Sequence, residues 1–582
     1  MDLFFPQRLA ASDLLTSEYF DCHEGFGDGA FQTRLLILST VTIFLLNGQA
    51  VLLPAISNDV DHWCKRPTGS NISAEAWKDA AIPVGADGRH SRCHAFEDPI
   101  DLNDTAVVVE CHEWEYDQAQ ASTSVISVWN IVCRRRVLIA ATMAVQQAGS
   151  GVFLLLSGAA ADLFGRMPVQ LVAAAATIIS TVAGCLVTDY VLYTLVLFLV
   201  SGGASASAAT TVLVYFEVSV HNHRPLYMIF AATTSFFLGD IWLAIITTLR
   251  VSWNLKQIVF LSPTLLLLAT FVAGQESPRW LIAKGKLEEA EAVMMSAAEL
   301  NHFPLSGTAY LVDKLRRDRW KYRNCTTTMN EGPLLDARSL RRRALTMFAI
   351  LFSLMFGVFT DVISITARSD DTADGDILFP TIMLAGSLLS YVAMYAAVTR
   401  FALVKVFGFA SAVAVCTHCL LTFTVSFHLV TTVLLSLSHG TLAVAVAVTI
   451  AYVMEIVPTA VRGVALCWAL GSGSVGALCA CSTLVLQQLG REDVAFGTAA
   501  LLLTVSLFMI SDLPPPSGIE CAVPDVVNKR HASLSSKASI EHMKKTLDAC
   551  PLEISPMISR SKRSLTEGSM RSCSGHSDTH HF

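Results

Sequence analysis

Charged residues are scarce in this chain of 582 residues, and the scarcity excludes most soluble proteins. Asp, Glu, Lys and Arg supply 15% of the residues, whereas roughly 25% is usual in a soluble domain. Hydrophobic residues make up 53%, the mean hydropathy is +0.51, and the net charge of −7 provides no basic surface for nucleic acid. We therefore predict a protein of the lipid bilayer that has no nucleic-acid partner.

The motifs of enzymes and of ATP-driven pumps are also missing. The sequence has no P-loop, no G-x-S-x-G motif and no His/Cys cluster with metal-ligand spacing. We therefore predict that the protein is not an enzyme and has no cofactor or metal. Residues 1–34 are mixed polar and acidic, without the apolar core and cleavage site of a signal peptide, and we expect them to be cytoplasmic.

Long apolar segments dominate the rest of the chain. A membrane helix needs about 20 apolar residues to cross roughly 30 Å of hydrocarbon. Twelve segments meet this requirement: 35–56, 137–161, 168–188, 190–216, 226–248, 257–275, 344–366, 378–398, 402–426, 429–457, 464–487 and 494–512. The sequence thus predicts an all-α membrane protein with twelve transmembrane helices. The weakest boundaries are at Asp189, between the third and fourth segments, and at Phe427 and His428, between the ninth and tenth.

The first long polar loop, residues 57–136, has the composition of an extracellular segment. It carries two N-glycosylation sequons, at Asn71 and Asn103. It also contains four cysteines, which are Cys64, Cys93, Cys111 and Cys133. Cysteines beside sequons favour an oxidising compartment, so we predict two disulfides whose pairing the sequence leaves open.

The second long loop, residues 276–343, is rich in Lys and Arg and ends in the run 341–343. Basic residues near span ends mark the cytoplasmic side, and five predicted spans separate this loop from the first. Both termini are then cytoplasmic, including the tail 513–582, which is rich in Ser, Lys and Arg and predicted to be disordered. Arg134–Arg136 break the charge rule on the outer side, where Glu113 and Glu115 are the expected partners.

An internal repeat organises the twelve segments. Glu217 and Arg224 flank the loop after the fourth, and Glu455 and Arg462 flank the loop after the tenth, with an offset of 238 residues. The same offset relates Glu276, after the sixth segment, to the end of the twelfth. The sequence therefore predicts two six-helix bundles, 35–275 and 344–512, as in the major facilitator fold.

The loop after the second segment supports this prediction. Gly158 to Met167 resembles the major facilitator motif G-x3-D-[RK]-x-G-[RK]-[RK], although Leu163 and Met167 replace basic residues. Gly165 permits a tight turn, and Asp162 and Arg166 can then form a charge network across the helix ends. We expect this network to latch one side of the protein, and the alternative is an ordinary D-x-x-G-R turn.

A more specific resemblance lies after the sixth segment. The sequence from Glu276 to Leu281, ESPRWL, resembles a segment of the organic cation, organic anion and carnitine transporters, solute carrier family 22. Three further stretches are similar to that family: Gly25–Gly27 with Phe31 and Gln32, WNIVC at 129–133, and Glu455 followed by Pro458, Thr459 and Arg462. The likeness extends over residues 25–518. The resemblance implies a plasma-membrane secondary transporter of small organic ions that works by alternating access. It implies a gate formed by Asp162, Gly165, Arg166, Glu217, Arg224, Glu276, Arg279, Glu455 and Arg462.

The chain departs from the family at the position in the eleventh span that distinguishes cation carriers from anion carriers. Relatives that carry cations tend to have an Asp in the eleventh span and those that carry anions an Arg, but residues 472–474 are Ser, Gly and Ser here. Pro514–Pro516 replace the usual P-E-T, and many relatives have six loop cysteines instead of four. The departures leave a second hypothesis open, a transport-deficient relative that acts as a membrane sensor or scaffold.

Ionisable residues within the spans give the remaining indication of substrate. Asp240 and Asp361 lie in the fifth and seventh segments, and no Lys or Arg lies deep in any segment. A charge at mid-membrane costs roughly 2.5–3.5 kcal/mol, so a carboxylate there favours a cationic or zwitterionic substrate. The alternative is a protonated or hydrogen-bonded Asp that serves packing.

Other candidate substrate contacts come from spacing alone. Phe352, Phe356 and Phe359 recur at helical spacing and could offer aromatic faces to a cation, or they could simply pack against helices or lipid. Ser472 and Ser474 occupy the selectivity position of the eleventh segment. His439 either relays protons or is an ordinary core histidine.

Overall fold

Long helices form in the apolar segments of the computed structural model, which describes residues 22–66, 73–84, 90–97, 107–117, 124–220, 224–249, 251–325, 337–371, 378–457, 459–511 and 513. Twelve helices within these ranges are long and apolar enough to cross a membrane, which confirms the predicted count. Numbered as spans 1 to 12, they are Ala30–Ile56, Cys133–Phe164, Arg166–Leu186, Tyr190–Val218, Arg224–Ile246, Trp253–Ala273, Arg342–Arg368, Leu378–Val398, Leu403–Thr424, His428–Ile456, Arg462–Gln488 and Glu492–Ser511.

The weak boundaries are set by short-range hydrogen bonds. Asp189 caps span 4, because its carboxylate accepts a hydrogen bond from the Leu192 N–H at 2.9 Å. Between spans 9 and 10 the Phe427 N–H donates to the Thr424 carbonyl at 2.8 Å. A single residue, Gly165, ends span 2 and begins span 3. Each of these turns reverses the chain with few residues outside a helix.

Several spans contain irregular turns or belong to helices that continue beyond the apolar segment. Span 2 opens with a 3-10 turn, Cys133–Arg136, and span 6 contains the 3-10 stretch Ser262–Ala269. Span 11 is divided into helices Arg462–Ala480 and Ser482–Gln488. Span 7 lies within the longer helix Ala337–Asp371, and span 5 within Arg224–Thr248.

The first loop adds β-structure that the all-α prediction did not include. Strand β1 (His62–Cys64) pairs antiparallel with β4 (Trp114–Tyr116), and β2 (His94–Phe96) pairs antiparallel with β3 (Val108–Glu110). Helices Ala74–Ala81 and Val125–Val128 complete the described part of the loop. The strands have three residues each, so their hydropathy pattern is too short to predict them.

Two disulfides link strand β1 to the end of β3 and the start of β2 to the first residue of span 2. Cys64 pairs with Cys111 and Cys93 with Cys133, with Cα atoms 5.6 and 5.7 Å apart. The Cys93 carbonyl also accepts a hydrogen bond from the Cys111 N–H at 3.0 Å, which couples the two bridges. The structure thereby supplies the pairing that the sequence left open. Both sequons, at Asn71 and Asn103, lie outside the described residues.

The basic run before span 2 has other partners than those expected. Arg134 lies 3.6 Å from Glu110, and Arg136 lies 3.3 Å from Asp59. Glu113 and Glu115 instead pair with Lys65 and Arg66, which stand beside them across the β1–β4 sheet. The prediction that loop acids neutralise the run is correct in kind, but the predicted acids are wrong.

The loop between spans 6 and 7 folds onto the start of span 1. Its described helices are Pro278–Ala283, Leu287–Leu300 and Leu305–Cys325. The Asn301 side chain accepts a hydrogen bond from the Phe31 N–H and donates one to the Phe26 carbonyl, each at 2.9 Å. Helix Cys22–Phe26 is thus held against the loop. Residues 1–21, 326–336 and 514–582, which include most of the predicted tail, lie outside the described ranges.

The 238-residue repeat reappears in the packing of the spans. Gly202 and Gly440 are separated by that offset and occupy equivalent contacts. A Cβ on Gly202 would lie 2.5 Å from the Phe153 ring of span 2, and a Cβ on Gly440 would lie 2.6 Å from Ser390 of span 8. Both glycines therefore permit a close helix approach. Their helices are spans 4 and 10. Within the 18-residue apolar stretch of each, 67% and 78% of the residues are buried, so both helices lie at the core.

Candidate functional site

Arg166, the first residue of span 3, lies at the centre of a buried charge cluster. Its side chain is fully buried, and its guanidinium donates to both carboxylate oxygens of Glu217 at 2.9 and 3.3 Å. Asp162 lies 3.1 Å away on the other side. A buried charge requires such partners, and two carboxylates compensate one arginine here. We call the end of the bundle that holds this cluster the charged end, and the end that carries loop 57–132 the disulfide end.

The cluster crosses from the first six spans to the last six. The Asp162 carboxylate accepts hydrogen bonds from the N–H groups of Gly463 and Val464, at 3.2 and 2.8 Å. These are the first free amides of span 11, a position that favours an anion. Arg166 also donates to the Thr459 carbonyl at 3.0 Å. The turn after span 2 therefore clamps the start of span 11.

The two copies of the E-x6-R repeat pair with each other. Glu217 lies 3.6 Å from Arg462, and Glu455 lies 3.8 Å from Arg224. The acid of each copy thus faces the base of the other copy. The ring of Phe216 lies between the two arginines, 4.5 Å from the Arg224 guanidinium and 5.3 Å from that of Arg462. This arrangement joins the two halves at the charged end.

The ESPRWL segment supports the turn from the adjacent side. The Glu276 carboxylate accepts hydrogen bonds from the N–H groups of Arg166 and Met167, both at 3.0 Å, and so caps span 3. The Trp280 indole donates to the Asp162 carbonyl at 3.3 Å. Gly165 has φ +115°, and a Cβ there would clash with Glu276 Oε2. Burial raises the pKa of Glu276 above its ordinary value.

The structure thus brings together most of the residues predicted as a gate. Asp162, Arg166, Glu217 and Arg462 form one network, and Glu276 lies against its backbone. Arg224 and Glu455 form a neighbouring pair, and Arg279 is buried in helix Pro278–Ala283. Their role in gating stays a prediction, but they close the charged end in this structure.

A central cavity of about 160 Å³ lies between the halves. A cavity of roughly 150 Å³ accepts a molecule the size of benzene, so a small organic solute fits. Spans 1, 2, 4 and 5 line one side, and spans 7, 10 and 11 line the other. Most lining side chains are apolar, and the polar ones described are Asn47, Gln147, Ser150, Ser201, Ser205, Asp240, His439 and Ser474.

Asp240 and His439 are the ionisable residues among those described as lining the cavity. Asp240 comes from span 5 and His439 from span 10, and Oδ1 of the first lies 3.3 Å from Nε2 of the second. The Asp240 side chain is 22% exposed and that of His439 is 6% exposed. The pair therefore links the two halves inside the cavity wall.

Asp361 lies elsewhere. Its side chain is fully buried, accepts a hydrogen bond from the Ser438 hydroxyl at 2.7 Å and lies 3.4 Å from His418 Nε2. It does not belong to the described cavity lining. Spans 7, 9 and 10 enclose this carboxylate between Ser438 and His418, which matches the packing alternative for a buried Asp.

The other predicted contacts divide in the same way. Ser474 lines the cavity, whereas Ser472 donates to the Phe348 carbonyl of span 7 at 3.0 Å. Phe359 lines the cavity, but Phe352 and Phe356 are not part of the described lining. Helical spacing placed the three phenylalanines on one face, and the cavity reaches only one of them. Substrate contact by Phe352, Phe356, Ser472 and Asp361 stays a prediction without a cavity position to support it.

Some residues at the site were not found from the sequence. His418 carries the signal of a histidine within an apolar span, yet nothing local links it to Asp361. Asn47 and Gln147 are uncharged polar residues in spans 1 and 2, and such residues also serve hydrogen bonds between membrane helices, so the sequence does not mark them as a site. Phe216 lies beside Glu217, but its position between two arginines depends on how the halves meet.

A second cavity, of about 500 Å³, opens at the disulfide end. Loop residues Asp59, His62 and Arg92 line it together with the ends of spans 1, 2, 7, 11 and 12. Arg136 pairs there with Asp59, and Glu492 pairs with Arg368 at 2.8 Å. This vestibule contains charges of both signs. Its electrostatics therefore favour neither a cationic nor an anionic substrate.

Comparison with known families agrees with the geometry. The family model of sugar (and other) transporters matches residues 102–510. The chain belongs to this family. Among its relatives, solute carrier family 22 member 7 of Rattus norvegicus is 24% identical over 392 residues, which are 63% of this chain and 71% of the relative. The beta-alanine transporter of Drosophila melanogaster is 29% identical over 207 residues, 35% of this chain and 34% of the relative.

The fold comparison gives the same result. The proton:xylose symporter XylE bound to 6-bromo-6-deoxy-D-glucose, a major facilitator protein, matches with a TM-score of 0.54 and 15% identity. The match covers 83% of this chain and 96% of the symporter. It confirms the major facilitator fold, and the relatives confirm the resemblance to solute carrier family 22. This member of the sugar (and other) transporter family is therefore a multi-pass secondary transporter of small organic solutes.

Proposed function

We propose that the protein carries small organic cations or zwitterions across the plasma membrane by alternating access. The observation that carries this proposal is the cavity charge. Asp240 exposes a carboxylate, and the described lining contains no Lys or Arg. A charged substrate leaves water only where an opposite charge replaces its hydration, so this cavity favours a positive group.

The other lining residues fit a small amphiphilic solute. Ligand pockets are mostly apolar, with a few polar groups that fix orientation. Asn47 and Gln147 supply such groups beside Asp240, and Phe359 supplies an aromatic face. One relative is named a beta-alanine transporter, and beta-alanine carries both an ammonium and a carboxylate group. That relative supports the zwitterionic form of the proposal.

Alternating access follows from the two ends of the molecule. The charged end is closed by buried pairs between the halves, including Glu217 with Arg462. The disulfide end instead contains the vestibule of about 500 Å³. We infer that the disulfide end is extracellular, since both disulfides and both sequons lie there, and that the charged end and both termini are cytoplasmic. Rocking of the halves would then open the charged end.

Uptake in transfected cells tests the proposal. Three labelled probes represent the charge classes: tetraethylammonium, beta-alanine and benzoate. We expect uptake of the first or second. Asp240→Asn should reduce it at least about tenfold, because a charge pair about 4–5 Å apart contributes roughly 3–4 kcal/mol at an effective dielectric constant of about 20, and about 1.4 kcal/mol is a factor of ten. Asp313→Asn is the matched control, since that side chain is 68% exposed on helix Leu305–Cys325, and it should leave uptake unchanged.

The outcomes separate the candidate functions. Uptake of benzoate alone would contradict the charge preference but leave a transporter. Uptake of none of the three, with surface biotinylation confirming the protein at the plasma membrane, would favour the transport-deficient sensor or scaffold. Equal loss in Asp240→Asn and Asp313→Asn would indicate a defect in folding or trafficking and remove the argument from the cavity charge.

A further inference from the structure

The Asp240–His439 pair has features that substrate binding alone does not explain. The carboxylate and the imidazole meet at 3.3 Å, and each keeps one buried polar atom without a hydrogen-bond partner: Oδ2 of Asp240 and Nδ1 of His439. Buried polar atoms of this kind are normally satisfied. Both residues line the central cavity, so the two unpaired atoms belong to its wall.

The titratable groups around the pair come from several spans. Asp361 of span 7 acts electrostatically on His439, and Tyr391 of span 8 faces Asp240. His418 of span 9 is paired with Asp361. Span 11 presents the uncharged Ser474 to the cavity. Histidine therefore supplies the ionisable base of the described cavity lining, and it is the side chain that changes charge near neutral pH.

We propose that the Asp240–His439 pair binds a proton, and that this proton and the organic cation compete for Asp240, so that the carrier exchanges one for the other. The inference rests on the proposed function, because it takes a positively charged substrate group at Asp240 as given. It adds the coupling ion and the residue that holds it.

One carboxylate can compensate one positive charge at this depth. In the empty cavity, an imidazolium on His439 neutralises Asp240 across the gap between the halves. A substrate ammonium on Asp240 would place a second positive charge beside the imidazolium, in a medium where like charges repel strongly. The Nε2–H bond of the imidazolium then breaks, and the proton leaves to water on the side to which the cavity is open. Neutral imidazole and an ammonium–carboxylate pair remain.

The reverse step occurs on the other side of the membrane. There the cation leaves, Nε2 takes a proton from water, and the Asp240–imidazolium pair forms again. A full cycle moves one monovalent cation inward and one proton outward. The exchange therefore carries no net charge, and at equilibrium one pH unit across the membrane balances about a tenfold ratio of cation concentration.

Reconstitution of the full chain in liposomes tests the exchange. Tetraethylammonium is the probe, since it carries a permanent charge and no proton of its own. An inward gradient of it should make the lumen more alkaline, as reported by a trapped pH dye. An acidic lumen should increase its accumulation about tenfold per pH unit, and a potential clamped with potassium and valinomycin should have no effect.

Two histidine variants distinguish coupling from structure. His439→Gln keeps a hydrogen-bonding side chain but cannot take a proton, so cation uptake should continue without proton movement and should respond to an inside-negative potential. His428→Gln lies at the exposed start of the same helix and should retain the coupling of the wild type. Proton coupling that persists in His439→Gln would overturn the proposal.

Binding calorimetry gives a second readout that does not depend on the variants. Tetraethylammonium binding to the wild-type protein should release a proton near neutral pH, so its apparent enthalpy should change with the ionisation enthalpy of the buffer. Cation uptake driven by potential, with no proton movement or release, overturns this inference and leaves the proposed function intact. Failure of the wild-type protein to bind or carry any cation overturns both.

Discussion

At the scale of single residues, the turn between spans 2 and 3 depends on the absence of one side chain. Gly165 has φ +115°, a conformation that residues with a Cβ rarely adopt. The space that a Cβ would fill is taken by Glu276 Oε2, which caps span 3. The glycine therefore serves two needs at once, the turn geometry and the approach of the capping carboxylate.

Gly165→Ala should consequently destabilise the protein by more than backbone strain alone would. Strain in this region costs of order 1–3 kcal/mol, and displacement of Glu276 would add the loss of hydrogen bonds to the N–H groups of Arg166 and Met167. Gly490→Ala is a matched control, because Gly490 also has positive φ, at +69°, but nothing lies within 4 Å of its Cβ position. Thermal unfolding of the purified proteins should show a clearly larger loss for Gly165→Ala. Equal losses would mean that the contact with Glu276 is unimportant.

The candidate site could be predicted from the sequence only in part, and single residues show why. Spacing identified Glu217 and Arg462 as related, because a repeat fixes equivalent positions without knowledge of packing. Asp240 and Asp361 looked alike, since both are acids within spans. Only the orientation of each helix places one at the cavity and the other beside His418, and that orientation depends on neighbouring spans.

At the scale of elements, the loop at the disulfide end combines two covalent links with a small core of Trp63, Trp77, Ala81 and Ile82. Its strands have three residues each, and those of the β2–β3 pair are largely exposed. Small segments that bury little apolar surface usually depend on disulfides. Hydropathy predicted the spans because each buries a long apolar stretch in lipid or protein. It could not predict these short strands, whose positions depend on the disulfides.

Removing one bridge should therefore release this loop. The Cys93–Cys133 pair closes 40 residues of chain, and a loop of that length contributes about 4 kcal/mol of chain entropy. Cys93→Ser with Cys133→Ser should speed amide hydrogen exchange in strands β2 and β3 by orders of magnitude, measured by mass spectrometry. Unchanged exchange would contradict the structural role of the bridge.

The matched control uses two free cysteines. Cys416 and Cys419 are exposed on span 9, so their replacement by Ser should leave loop exchange unchanged. Peptide mapping of the unreduced wild-type protein checks the pairing directly. A peptide that joins Cys64 to Cys93 would show that the bridges are wrong.

At the scale of the whole molecule, the repeat and the gate are one feature. The acid of each E-x6-R copy pairs with the base of the other copy, so both pairs exist only when the halves meet at the charged end. Asp162 adds two hydrogen bonds to the first amides of span 11. The closed end is thus stabilised by contacts that must all break when the halves separate, as expected of a bistable transporter.

A native cysteine can report this separation. Cys467 of span 11 is 1% exposed, and its sulfur lies 3.9 Å from the Ser157 hydroxyl of span 2, at the junction of the halves. Asp162→Ala removes the contacts to span 11, which we expect to contribute roughly 1.5–3 kcal/mol. The charged end should then open more often, and alkylation of Cys467 by N-ethylmaleimide should be about ten- to a hundredfold faster.

Cys481 provides the internal control for that experiment, since it is also buried, at 2% exposure, but lies near the opposite end of span 11. Faster alkylation of Cys467 alone means that one end has opened. Faster alkylation of both cysteines would mean that the fold has loosened, and an unchanged rate at Cys467 would show that Asp162 does not hold the gate. Because the proposed exchange needs the charged end to open only with a cation or a proton bound, Asp162→Ala should also let tetraethylammonium equilibrate without proton movement. The buried pairs at the charged end would then be the reason that transport and proton exchange remain coupled.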